Sequence, residues 1–210
     1  MKPIYEENEE TLEIAEQISC HIPPHLHKSM ELVSVTEGTL EIGVGTELYH
    51  MEKGDFALVF PELIHHYQVF NSESCKAIYA LASPLLAPSY TKELQQFCPV
   101  NPIIPAQEVH PDVNYALRSM LVYPATSQGH VLHQAFIQVI FAVSCKVFDS
   151  LAWHRVDPRF QLNIFIHSSA DQNIIPHIGY DTHIMFAGIL VKPGNDMRRK
   201  RALVYDLTTL

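Results

Sequence analysis

Five residues of the amino-terminal half have the types and spacing to do coordination or recognition chemistry. They are His25, His27 and Glu31 in "PPHLHKSMELVSVTEG", and His65 and Tyr67 in "ELIHHYQVF". Residues of one parity share a face of an extended chain, so His25, His27 and Glu31 point the same way and lead into the apolar row Val33 and Val35. His65, Tyr67 and Val69 make a similar row, which antiparallel pairing would set across from the first. Three imidazoles and one carboxylate suit zinc, iron, nickel, copper or manganese, with further positions open to water or substrate. The same groups can instead hydrogen-bond a polar effector with no metal present. No other nucleophile or general-base constellation stands out.

These side chains need strands to hold them. Residues 31–36 alternate Glu31, Val33, Val35 against Leu32, Ser34, Thr36, the pattern of a half-buried strand. "TLEIGVGTELYHM" continues the alternation through Leu40, Ile42 and Val44, and Gly43 and Gly45 allow a tight reversal, so a hairpin is expected. Beyond Gly54, "DFALVF" reads as a strand buried on both faces, and "IHHYQVF" and "CKAIYALA" as two more. Short strands between glycine turns predict a closed or sandwich-like β-barrel whose mouth carries the polar row. The segment from Pro84 to Pro111 contains six prolines and is expected to strap over the barrel as a connector.

Helices follow. "HPDVNYALRSMLVY" puts Pro111 and Asp112 in a first turn, with Ala116, Leu117, Met120 and Leu121 at helical spacing. From Gln128 to Leu151 one apolar stripe runs Leu132, Phe136, Val139, Ile140, Val143, Val147, and a second runs Ile137, Phe141, Phe148. Two stripes suit two surfaces, the chain's own barrel and a partner's helix; the alternative is a helix buried within one domain.

The 210 residues, 47% hydrophobic and 18% charged, suit one ordinary globular domain or one with an appendage. The acidic start, MKPIYEENEE, lacks the apolar stretch of a secretory signal, and apolar runs such as MFAGILV are far too short to span a bilayer, so a cytoplasmic protein with no membrane partner is expected. Cys20, Cys75, Cys98 and Cys145 have no paired spacing and read as reduced thiols. Charge divides the chain: residues 1–151 carry 7 Lys+Arg against 18 Asp+Glu, and residues 152–210 carry 7 against 5. The first part holds 15 glutamates and the second none, where roughly six would be expected at uniform composition. At net −11, the first part repels phosphate backbones. In the second part, Arg198–Arg201 ("RRKR") reads as a solvated run, and His154, His167, His177 and His183 lack ligand spacing. His66 must face away from His65, and the direction of His21 is confused by Pro23 and Pro24.

His25-X-His27-XXX-Glu31-XXXXXX-Gly38 has the spacing of the first cupin motif, and Gly54 and His65 that of the second. Phe60 stands at the usual proline of the second motif, Pro61 comes one place late, and Glu62 replaces its second glycine. With "KGDFALVFPELIHHYQVF", the proline-rich strap and two helices, residues 20–151 resemble the amino-terminal sensor and dimerisation domain of AraC-type transcriptional regulators. The resemblance implies a mainly β fold with C-terminal helices: a single-cupin, jelly-roll-like β-barrel followed by an antiparallel helical dimerisation segment. It divides the chain into a barrel with strap (1–106), a helical segment (107–151) and an atypical tail (152–210). It further implies a small polar effector, a sugar or organic acid, held by His25, His27, Glu31, His65 and Tyr67, and a homodimer joined through Leu132, Phe136, Ile140 and Val143. The family's two helix-turn-helix units are not recognised in the tail, so a truncated or frame-altered regulator is expected, touching DNA only if such a domain is supplied elsewhere. No cofactor is certain; a divalent transition metal on His25, His27, Glu31 and His65 is the possible one. The alternative is a stand-alone metal-dependent cupin enzyme, a dioxygenase or isomerase, using the same four groups around an open metal position.

Overall fold

The computed structural model describes residues 3–6, 11–70, 75–123, 127–151, 153–155, 186–189 and 199–205. In chain order come β1 (Ile4–Tyr5), β2 (Leu12–Ile18), β3 (Ile22–Leu26), β4 (Met30–Glu37), β5 (Thr39–Val44), β6 (Glu47–Glu52), β7 (Phe56–Val59), β8 (His65–Gln68) and β9 (Lys76–Ala82). The strap holds two short 3₁₀ turns, α1 (Thr91–Gln96), β10 (Phe97–Pro99) and β11 (Ile103–Ile104). Then follow α2 (Pro111–Val122), α3 (Ser127–Leu151), β12 (Trp153–Arg155), β13 (Phe186–Ile189) and β14 (Arg199–Tyr205).

The strands form two main sheets, ordered β1-β3-β8-β5-β6-β14-β13 and β11-β7-β4-β9-β2. Among the described residues the ladders join no strand of one to a strand of the other, so the expected barrel is a sandwich of two sheets rather than a hydrogen-bonded cylinder. The inner faces meet through Val33, Val35, Ala57, Val59, Ala77 and Tyr79 on one side and Leu40, Ile42, Tyr49, Met51 and Tyr67 on the other. The outer face of the five-stranded sheet, with Met30, Leu32, Phe56, Leu58, Ile78 and Ala80, is packed under α2 and α3. β4 is therefore buried on both faces through Val35, not half-buried as its alternation suggested. Its polar–apolar rhythm marks which of two cores each residue enters.

The β5–β6 reversal turns at Gly45, whose φ of +61° a side chain would strain. Gly43 has another role. It lies inside β5, where an added Cβ would collide with the His66 ring on the paired β8, so it makes room for that ring. The strap is stitched down by the buried Asp55, whose carboxylate accepts from the backbone N–H groups of Glu52 (2.9 Å) and Ala106 (2.8 Å).

α2 begins as its sequence requires, with Pro111 in the first turn and His110 accepting from the Asp112 N–H. It buries Val113, Ala116, Leu117 and Met120, while α3 buries Ile137, Ile140, Phe141 and Phe148 in the same core. Ile140 is fully buried within the chain, so it is not an available dimer contact; on α3 it lies on the face shared with Ile137 and Phe141, which the sheet covers. Over Gly129–Phe148, α3 is long and apolar enough to cross a membrane by length and composition, with mean hydropathy 1.6. Unbroken apolar runs had indicated no such stretch; the helix reaches it by averaging over interspersed small and polar residues, and here one face of it meets the sheet.

All four cysteines are free thiols, with Cys75 buried and Cys20 exposed. The basic run continues into β14, whose Arg199–Arg201 pair with Glu47–Tyr49 of β6. His167, His177 and His183 lie outside the described residues, as does most of the expected tail.

Candidate metal and effector centre

Three strands bring the polar residues together. β3 and β8 run antiparallel with His25 opposite His65, the pairing that the two rows required. β4 starts after the Lys28–Ser29 bend and sends Glu31 into the same interior as Val33 and Val35. One ligand atom from each of His25, His27, Glu31 and His65 lies within 4.8 Å of the others, and all four residues are buried. Each was named from spacing, and each is in place. Tyr67 joins them as a neighbour: its ring centroid is 6.3 Å from His25 and 6.2 Å from His65, and its buried hydroxyl has no hydrogen-bond partner among the described residues. Burial first, and then the nearby Glu31 carboxylate, hold that hydroxyl protonated far above the ordinary tyrosine range.

The imidazoles are oriented by backbone carbonyls. His25 Nδ1 lies 3.0 Å from Pro23 O, His27 Nδ1 2.9 Å from Ser29 O, and His65 Nδ1 2.8 Å from Leu63 O. A carbonyl only accepts, so each Nδ1 carries a proton and each Nε2 is left to face the centre. There, Nε2 of His65, His27 and His25 stand 2.6, 3.5 and 4.0 Å from Glu31 Oε2. His27 Nε2 is buried without a hydrogen bond. Lone pairs converging on a buried carboxylate repel one another, so the cluster needs either a proton or a cation among them. Imidazoles anchored through the second nitrogen by carbonyl acceptors are the usual surroundings of a bound transition ion, so the donor set fits a metal.

Burial pushes the Glu31 carboxyl up, but the imidazoles of His27 and His65 beside it outweigh that and hold the group ionised well below the ordinary carboxylate range. For His27 burial is again the largest influence and opposes the charge, yet the Glu31 carboxylate raises the ring above its ordinary value. His25 is lowered, by burial and then by His65. His25 and His27 are thus unequal, and of the two His27 is the one the carboxylate favours as a cation.

Sequence reasoning missed the carbonyl anchors, which no residue type announces. It also left open the course of the acidic arm before Cys20. β1 runs parallel to β3 with Ile4 opposite His25, Glu6 N–H donates to Leu26 O (2.9 Å), and Glu6 adds negative potential at His25 and His27. His66 lies outside the centre as expected, its ring over Gly43. Of the departures in the second motif, Glu62 stands at φ +65°, the conformation for which the motif's glycine is suited, and its N–H donates to His27 O at 2.9 Å. With Glu62 in the glycine's conformation, the turn brings His65 to Glu31.

Residues 16–80 match the family described as cupin domain. Among solved structures, an apo single-substitution form of ToxT from Vibrio cholerae is similar in fold, with TM-score 0.53 and 10% identity over 81% of this chain and 69% of that one. A second ToxT crystal structure superposes with TM-score 0.50 at 9% identity, covering 79% and 68%. ToxT bound to (E)-4-(8-methylnaphthalen-1-yl)but-3-enoic acid gives the same values. No curated protein matches the chain.

Proposed function

We propose that this chain, which carries a cupin domain over residues 16–80, is the ligand-sensing and dimerisation module of an AraC-type transcription regulator. It takes a small polar effector, a sugar or an organic acid, at His25, His27, Glu31, His65 and Tyr67. The observation that carries the reading is the convergence of three imidazoles on Glu31 inside a sandwich whose other face is covered by two helices. A hydroxyl-rich or anionic ligand finds there both imidazole groups and a buried tyrosine hydroxyl. The fold shared with ToxT and the carboxylic acid held in one ToxT structure agree with a ligand of the organic-acid class.

Dimerisation falls to the apolar surface that α2 and α3 leave open. Leu132 and Val139 are each 38% exposed, and Phe136 packs between Tyr115 and Tyr123 with ring centroids 6.1 and 6.5 Å away. With Val143 they form one stripe, from which Ile140 is excluded. Reading of DNA falls to helix-turn-helix units beyond the sandwich and hairpin described, since residues 1–151 are strongly acidic. This function places the chain in the cytoplasm.

Thermal unfolding of the full chain against a panel of small sugars and organic acids tests the reading. At least one class is expected to raise Tm in a saturable way, and the shift to vanish in Glu31→Gln. A panel without effect on either protein would sink it.

The carbonyl-anchored imidazoles favour a second reading, a metal-dependent cupin enzyme of the dioxygenase or isomerase class. His25, His27, Glu31 and His65 would hold the ion, which would supply Lewis-acid chemistry at an open position. Purified protein carrying stoichiometric iron, nickel, manganese or zinc, lost in His27→Ala, favours it over a metal-free sensor.

A further inference from the structure

A second cavity lies away from the centre, on the other side of the five-stranded sheet. It has a volume of about 300 Å³ and is lined by Tyr90, Glu93, Phe97, Cys145 and Trp153. α1 contributes Glu93 in its first turn, the turn before it Tyr90, β10 Phe97, α3 Cys145 and β12 Trp153. β10 and β12 pair antiparallel with Pro99 opposite Trp153, which fixes the Phe97 and Trp153 strands against each other.

The walls are backed by buried rings. Tyr90 packs on Phe141 with centroids 5.4 Å apart, and Trp153 packs on Phe60 and Phe148 at 5.8 and 5.9 Å. Phe60 is the residue that replaces the second-motif proline; its ring, also 6.0 Å from Phe141, ties the two walls together beneath the cavity. Three aromatic residues and one carboxylate around an open space are a poor receptor for an anion. Ring faces carry negative potential and Glu93 adds a formal charge, so the lining is complementary to a cation too weakly hydrated to prefer water.

We propose that this cavity binds a small soluble quaternary ammonium compound, its methylated nitrogen set among Tyr90, Phe97 and Trp153 and its charge matched by Glu93. The volume, at the low end for small-molecule sites, fits such a head group with a short tail.

Trp153 is the only tryptophan, so its emission reports on this cavity alone. Titration of the full chain with choline is expected to change that emission in a saturable way. The uncharged isostere 3,3-dimethylbutan-1-ol should bind at least about tenfold more weakly, and Glu93→Gln should lose about tenfold for choline. Glu31→Gln, in the separate cupin centre, should leave the titration unchanged. Phosphatidylcholine vesicles at equal head-group concentration should give no response, because the proposed ligand is a free soluble compound that enters the cavity whole. The proposal is overturned by the absence of a saturable choline response, by equal binding of the neutral alcohol, by unchanged affinity in Glu93→Gln, or by a vesicle response matching that of choline.

Discussion

Glu31 keeps its charge where burial alone would remove it, because the His27 and His65 imidazoles stand 3.5 and 2.6 Å from one of its oxygens. The sign of the resulting pH dependence follows from the two shifts. A carboxyl depressed in the native state contributes stability above its ordinary value of 4.5, which is lost as pH falls toward the native value. A histidine raised in the native state contributes stability below its ordinary 6.5, which is lost as pH rises through the raised value. In chelator-treated protein, the Tm difference between wild type and Glu31→Gln should therefore be largest between pH 4.5 and 6.5 and shrink on either side. A difference that grows steadily with pH would contradict the pairing. Glu62 makes the opposite kind of prediction. It holds a left-handed backbone conformation that costs a non-glycine residue, and its half-buried carboxylate has an oxygen without a hydrogen bond. Glu62→Gly is expected to raise the unfolding free energy by about 1 kcal/mol, read from the urea midpoint at unchanged m value. A lowered midpoint would mean that the side chain contributes more than its backbone strain costs.

At the scale of elements, α3 separates two roles that its sequence mixes. Phe141 is fully buried between the sheet and the strap, touching Phe60 and Tyr90. Phe141→Ala should cost about 3–5 kcal/mol of stability, measured by urea unfolding. Leu132 stands on the open stripe. Leu132→Asp should change protomer stability by less than about 0.5 kcal/mol while shifting a dimer toward monomer in size-exclusion chromatography with light scattering. Equal destabilisation by both substitutions would show one continuous core and no separate association face. The β5–β8 pair has its own test. In Gly43→Ala the new methyl collides with the His66 ring, which must swing out and give up its 3.2 Å contact with Gln68. A loss of about 1–2 kcal/mol is expected, recovered by the second substitution His66→Ala.

The described residues centre on a five-stranded sheet with a core on each face, one shared with the second sheet and one with the helices. Ligand occupancy in the first core can reach the helical face through that shared sheet, of which β4 is a central strand carrying both Glu31 and Leu32. Binding at the centre should then stabilise the domain as a unit. At a free Zn²⁺ or Ni²⁺ concentration about a hundredfold above Kd, the gain is about 2.7 kcal/mol, seen as a Tm rise in the wild type and absent in His65→Ala. The same measurement at lower pH should show a smaller rise, because protons compete for the three imidazoles.

How much of this was legible follows from the range of the forces involved. Spacing and parity are properties of an extended chain, so "HLH", Glu31 and the His65–Tyr67 row could be assigned to one interior before any fold was known, as could the β5–β6 hairpin and the start of α2. Alternation alone could not tell whether the polar face of a strand meets water or a second core, and β4 was misjudged for that reason. It also could not tell which stripe of α3 the chain covers itself, which is why Ile140 was placed in an interface. The carbonyl anchors, the ring over Gly43 and the aromatic cavity join residues distant in sequence or depend on backbone direction. Side-chain type sets what a group can do, but only the packed chain decides what stands within hydrogen-bonding reach of it.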